Sequence, residues 1–336
     1  MESILLLAHT EADGSLARPA LEALAAARDL GGTLHIGLVG AQVQPAADQV
    51  AGAGAARILA VSGEAFGQPR YATDAASAEA LCRASGAAIV IAPGTSRWSR
   101  ALAGVALRLG GRVDTHATAV AIQNGVPAVT RWFYRQRMEG VLTRAQRPWI
   151  VLLDAGCVPE WSAAAGTAVV ETVEVAAVET HTTVMGTRSP EAGEQTIRPD
   201  AKLLFVAGAG WTKKQADGAT HTAEAEKLIL GFLRASQASL GGSKSLVDLS
   251  GEGEAVLRFM THLNQIGQTG ATPRHPKGLS TCCHGEEPHA VGWRFIGERR
   301  AVNLDANCGW ARGKADVLYV ADAFEVMREV NALLGK

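Results

Sequence analysis

The chain has 336 residues, 47% of them hydrophobic, enough to bury two packed cores. A net charge of −1 with no long basic run argues against nucleic acid as a partner, and no apolar stretch is long enough for membrane insertion. Five cysteines (Cys82, Cys157, Cys282, Cys283 and Cys308) are too few and too irregularly spaced for a disulfide framework, which points to a reducing compartment.

The N-terminus runs straight into a short apolar segment, Ile4–Ala8, without a basic leader, so a cytoplasmic protein is expected. Short apolar runs then alternate with alanine-rich helical stretches: Pro19–Leu30, Leu34–Val39, Ala46–Gly52, Arg57–Val61, Ala75–Ser85, Ala87–Ala92 and Arg100–Leu109. This βαβα rhythm predicts an α/β fold with a doubly wound, mostly parallel sheet, because every parallel crossover needs a helix to carry the chain back. Between Gly111 and Val178 the rhythm gives way to strand-like pieces, Thr118–Ile122, Val129–Phe133, Val141–Ala145, Trp149–Leu153 and Ala168–Ala177. Turn residues such as Asn124-Gly125 separate them, which predicts partly antiparallel strands added to the first sheet.

Residues 180–198 are polar and lack either period, and they form the expected linker between an N-terminal domain over 1–198 and a C-terminal domain over 199–336. The second domain opens with a strand at Leu203–Val206, the loop Gly208-Ala209-Gly210 and a helix over Thr222–Ala238. Its most informative stretch runs from Leu240 to Gly270. One end carries Gly241-Gly242-Ser243-Lys244 and the other Gln265-Ile266-Gly267-Gln268-Thr269-Gly270. Glycines let a ligand approach the main chain, and Ser, Thr and Gln offer donors to phosphate or ring oxygens. A strand-to-helix turn and a helix cap account for the same residues without a ligand.

The order of Gly-Gly-Ser-Lys, Asp248, Gln265-x-Gly-Gln-Thr-Gly270, His289, Asn303-Leu-Asp305 and Ala321-Asp322 resembles the α subunit of electron transfer flavoprotein. In the first half, Leu-Leu-Leu-Ala-His9, Gly31-Gly32 and Arg100-Ala-Leu-Ala extend the resemblance over nearly the whole chain. It implies two doubly wound domains, the second flavodoxin- or Rossmann-like and binding FAD. It further implies a heterodimer with a β subunit that carries electrons from a dehydrogenase to a quinone-linked or other acceptor, rather than a substrate-transforming enzyme. Carried over residue by residue, Ser243 and Lys244 fall at the flavin ring, with Gln265, Gly267, Gln268, Thr269 and Gly270 in the neighbouring loop. His284 and His289 fall in the loop that faces the ring, and Asn303 and Asp322 by the adenosine half.

The sequence departs from that family in three places. Lys244 stands where an arginine is usual, Ala209 stands where an arginine is expected near the pyrophosphate, and Cys282-Cys283-His284-Gly285-Glu286-Glu287 replaces a hydroxyl-bearing loop. Two carboxylates there would repel a diphosphate. These departures leave two further readings open. One is a divergent subunit that binds an adenine nucleotide without redox function. The other is a metal or cluster redox subunit built on the Cys-Cys-His loop, although the spacing matches no common motif.

Overall fold

The computed structural model describes residues 2–134, 138–176, 178–186, 197–198, 201–248, 256–267, 270–281 and 293–335. The chain divides into two compact units, Met1–Gly186 and Thr187–Lys336.

The first unit begins with β1 (Ser3–His9), α1 (Arg18–Asp29), β2 (Thr33–Gly40), α2 (Gln44–Gln49), β3 (Arg57–Ser62), α3 (Glu64–Gly67) and α4 (Tyr71–Ser85). It continues through β4 (Ile89–Pro93), α5 (Ser96–Arg108), β5 (Arg112–Gln123), β6 (Val126–Phe133), β7 (Met138–Leu142), β8 (Trp149–Leu153) and β9 (Glu171–Thr172). The sheet order is β7-β6-β5-β8-β4-β1-β2-β3-β9. Successive side chains of β1 point to opposite faces. Ile4, Leu6 and Ala8 pack with Leu24 and Ala27 of α1 and Ala47 of α2, and Leu5 and Leu7 pack with Leu81 of α4 and Leu102 of α5. Both faces of the sheet are therefore covered by helices, as a parallel sheet requires.

The expected antiparallel addition is present as β5, β6 and β7. Asn124 and Gly125 both have positive φ, 50° and 79°, the combination that a tight hairpin between right-twisted strands needs. Two pieces differ from the expectation. β8 is parallel to both its neighbours, β4 and β5, and each of its residues is buried. An unbroken apolar run, Trp-Ile-Val-Leu-Leu, suits a strand covered on both faces and not a hairpin edge. The piece expected at Ala168–Ala177 contracts to the two residues of β9, which lie against β3.

The second unit contains β10 (Leu203–Ala207), a 3₁₀ turn over Ala209–Thr212, α6 (Thr222–Ser236), β11 (Ser239–Gly242) and α7 (Lys244–Asp248). β12 (Lys277–Thr281), β13 (Glu298–Asn303), α8 (Gly309–Lys314), β14 (Val317–Val320) and α9 (Ala323–Leu334) follow. The sheet is parallel throughout, in the order β11-β10-β12-β13-β14. Phe205 and Ala207 face α6 and α9 through Phe232, Phe324 and Met327, whereas Leu204 and Val206 face Ile266, Trp293 and Ala311. The α/β fold class, with one mostly parallel and one wholly parallel sheet, is as the sequence predicts.

Candidate functional site

All the described candidate residues lie at or beyond the carboxyl ends of the strands of the second sheet. In open α/β sheets that edge is where ligands bind, because the chain leaves each strand there through an adaptable loop. Ser243 follows β11 directly and is fully buried. Its hydroxyl oxygen accepts from the Leu246 amide at 3.1 Å, so it caps α7, and its own amide donates to the Ala207 carbonyl at 3.3 Å. Lys244, half exposed, pairs with Asp248 one turn later. Asp248 in turn lies 3.7 Å from His262 Nε2, and His262 Nδ1 lies 3.5 Å from Gln265 Oε1. A polar chain thus links the two glycine-rich loops.

The loops also meet through their backbones. Gln265 is buried and bridges to Gly242 in parallel register, and the Ile266 amide donates to the Gly242 carbonyl at 3.1 Å. The segment then closes on itself. Gly267 N donates to Ala271 O at 2.9 Å and Ala271 N to Gln265 O at 2.8 Å. Two glycines make this closure possible: Gly267 takes φ 115°, and a Cβ on Gly270 would lie 2.2 Å from the Gln265 carbonyl oxygen. Gln268 and Thr269, between them, lie outside the described residues, as do His284, His289, Cys282, Cys283, Glu286 and Glu287.

Asn303 and Asp322 sit at the other end of the same edge, after β13 and β14. The Asn303 Oδ1 accepts from Asp305 N at 3.0 Å, and Asp322 caps α9 by accepting from Glu325 N at 3.0 Å. Both line a cleft of about 310 Å³ that also holds Gly210, Lys213, Lys214 and Asp305. The structure therefore brings the described candidates together as two groups, Ser243 to Gly270 on one side and Asn303 with Asp322 on the other. Three strand steps separate β11 from β13, which at the usual strand spacing is about 14 Å. Such a separation suits an extended ligand recognised at both ends.

Sequence reasoning missed Lys213 and Lys214, which carry no motif. The only signal was that two cations follow the Gly-Ala-Gly turn. It also missed His262 as the link from Asp248 to Gln265, a contact made by a 3₁₀ turn that Thr261 and Asn264 cap reciprocally. Cys308, the one cysteine of the second unit among the described residues, is buried at the start of α8. Among the described residues no group of three or more His, Cys, Asp or Glu side chains is placed to hold a metal ion.

A family model for the electron transfer flavoprotein domain matches residues 4–178. The chain belongs to the electron transfer flavoprotein family. The match spans more than half of the chain and covers the first unit, while the glycine-rich loops and the cleft lie C-terminal to it. No curated protein matches the chain. Among the described residues no helix is long and apolar enough to cross a membrane.

Proposed function

We propose that this electron transfer flavoprotein chain is an α subunit that holds FAD along the carboxyl edge of its second sheet. In this reading it works as a heterodimer with a β subunit and relays electrons from a dehydrogenase to a quinone-linked or other acceptor. The single observation that carries the reading is the spacing of the two residue groups on one parallel-sheet edge, about 14 Å apart. A dinucleotide has two dissimilar ends, and the two groups are dissimilar in the matching sense. The Ser243–Lys244 and Gln265–Gly270 loops offer backbone, amide and a cation to a ring system, and the Asn303–Asp322 cleft offers acceptors to ribose hydroxyls.

The donor set fits the cofactor. Bound flavin would supply the redox chemistry, and the chain's residues would bind, orient and shield it. Lys244 would place positive charge by the ring, with Asp248 fixing where that charge sits. Gln265 is held by the bridge to Gly242, so its position would not need to be ordered on binding.

Co-expression with a β subunit followed by an absorbance spectrum tests the proposal. Flavin bands with about one FAD per heterodimer are the expected result. A specific observation favours one competing reading: a cleft on this edge lies at the adenosine end. A purified complex that carries AMP or ADP and no flavin would establish that reading and remove the first.

A further inference from the structure

Lys213 and Lys214 are adjacent charges of the second unit that line one cleft. Several cations of the unit are matched, Lys244 by Asp248, Arg299 by Asp316 and Arg328 by Glu224. Neither Lys213 nor Lys214 forms an ion pair among the described residues, and both are exposed on the wall of the cleft that holds Asn303 and Asp322.

Their backbone is held in place. Lys213 N donates to Gly210 O at 3.3 Å, and Lys214 bridges to Thr220 across a tight turn. That turn is closed by Gln215 N to Ala219 O and Gly218 N to Gln215 O, each 2.9 Å. The Gln215 side-chain amide donates to both Gly210 O, at 3.1 Å, and Lys213 O, at 2.7 Å. Below it, the buried Trp211 indole donates to Thr281 Oγ1 at 2.8 Å and so ties the 3₁₀ turn to β12. A pair of solvated surface lysines needs no such scaffold.

The opposite wall has the reverse character. Asp305 and Asp322 each use one oxygen to accept a backbone amide, from Asn307 at 2.8 Å and from Glu325 at 3.0 Å. The second oxygen of each accepts no hydrogen bond among the described residues. A cleft with cations on one wall and carboxylate acceptors on the other matches a molecule that is anionic at one end and rich in hydroxyls at the other. A nucleoside diphosphate has that arrangement.

We propose that Lys213 and Lys214 clamp the diphosphate of a nucleotide in this cleft, taking the place of the guanidinium that Ala209 lacks. The proposal rests on the reading of the cleft as the adenosine end of the site. Ammonium groups on flexible stems act as point charges without a planar fork, so the clamp recognises charge more than phosphate geometry and weakens in salt.

The test is equilibrium binding of ADP and of adenosine to the full-length chain, freed of co-purified nucleotide, at low and high salt. The parent is compared with the Lys213→Gln/Lys214→Gln double variant. The parent should bind ADP roughly tenfold or more tightly than adenosine at low salt, since a charged hydrogen bond is typically worth at least a factor of that size. The preference should shrink in high salt and vanish in the double variant, with adenosine binding unchanged. An ADP preference that survives in the double variant overturns the proposal, as does a parent that binds adenosine as well as ADP or binds neither. The flavin reading fails separately: protein that lacks flavin yet shows the lysine-dependent ADP preference loses the FAD assignment and keeps the clamp. Protein that purifies with flavin, but whose ADP preference after flavin removal ignores the lysines, keeps the FAD assignment and loses the clamp.

Discussion

The amide of Ile266 donates to the carbonyl of Gly242 at 3.1 Å, and this bond joins two loops more than twenty residues apart into one surface. Any change that displaces the Gln265–Ala271 closure therefore reaches the loop that carries Ser243 and Lys244. Gly270→Ala is the direct probe. Its Cβ would sit 2.2 Å from the Gln265 carbonyl oxygen, backbone that has little room to yield. A loss of about 1–3 kcal/mol in stability is expected, with poor flavin retention after desalting. Gly313→Ala is the control, because a Cβ there meets nothing within 4 Å and alanine favours the helix. Equal flavin content in the two variants would separate the closure from cofactor binding.

Lys244 and Asp248 set the charge beside the proposed flavin ring. A cation stabilises a ring that gains negative charge, so Lys244→Ala should lower the first reduction potential. The lysine is half exposed and partly neutralised by Asp248, so the interaction is worth about 1 kcal/mol, or about 40 mV for one electron. Asp248→Asn removes the neutralising charge and should raise the potential, and Lys244→Arg should leave it near the parent value. Spectroelectrochemical titration of the four proteins reads the order. An alanine variant at the parent potential would take Lys244 out of the site.

The pH dependence of the first unit should carry a histidine signature. Burial, and then the charge of Arg97, push the His9 imidazole down from its ordinary 6.5 to about 4, against the pull of the Thr10 carbonyl. Burial and Arg57 lower His35 as well. Because the folded value is depressed, the unfolded chain takes up protons that the folded chain refuses. Stability should therefore fall as pH drops from about 6.5 towards 4, by on the order of 3 kcal/mol for His9. Urea unfolding between pH 7.5 and 4.5 measures the slope, and His9→Gln should flatten most of it. An identical slope in the variant would assign the effect elsewhere.

Asp74 of α4 is wholly buried and accepts from Arg97 at 2.9 Å and Arg100 at 3.2 Å, while Arg97 also donates to the Phe66 carbonyl at 2.6 Å. Burial raises the Asp74 carboxyl despite both arginines, a sign of how strongly desolvation acts here. Asp74→Ala should cost about 3–5 kcal/mol, since it strands a buried guanidinium. Asp74→Leu combined with Arg97→Met should cost less than the single change. Thermal unfolding of both variants checks the inequality, and the reverse order would mean that the ion pair itself stabilises the unit.

The fold was legible where composition forces geometry. Ile4–Ala8 and Leu34–Val39 are apolar on both faces and the intervening helices are amphipathic, so a parallel sheet between helix layers follows. The direction of β8 was not legible from its position after two antiparallel strands, because direction depends on which neighbours it meets in space. Along the second sheet, the glycines at 267 and 270 showed as a special backbone, and the structure gives a positive φ for the first and a steric reason for the second. Ser243 stands at the strand-to-helix turn that the sequence marks, and its buried hydroxyl caps α7. Lys213 and Lys214 escaped notice because a lysine pair is ordinary in sequence. Only the cleft around it, and the hydrogen-bonded turn that carries it, set it apart.

The place of β8 has a consequence for how the protein is made. It is the eighth strand in chain order, yet it lies between β4 and β5, and among the described residues no other strand joins the β5–β7 ribbon to the rest of the sheet. A ribosome releasing this chain thus exposes the β5–β7 hairpins before the strand that docks them has been synthesised. Until Trp149–Leu153 emerges, the apolar edge of β4 has no neighbour on that side, a template for pairing with another chain. Nascent chains stalled before Trp149 should accordingly bind chaperones and resist release. Those stalled after β9 has cleared the exit tunnel should be protease-resistant across the first unit.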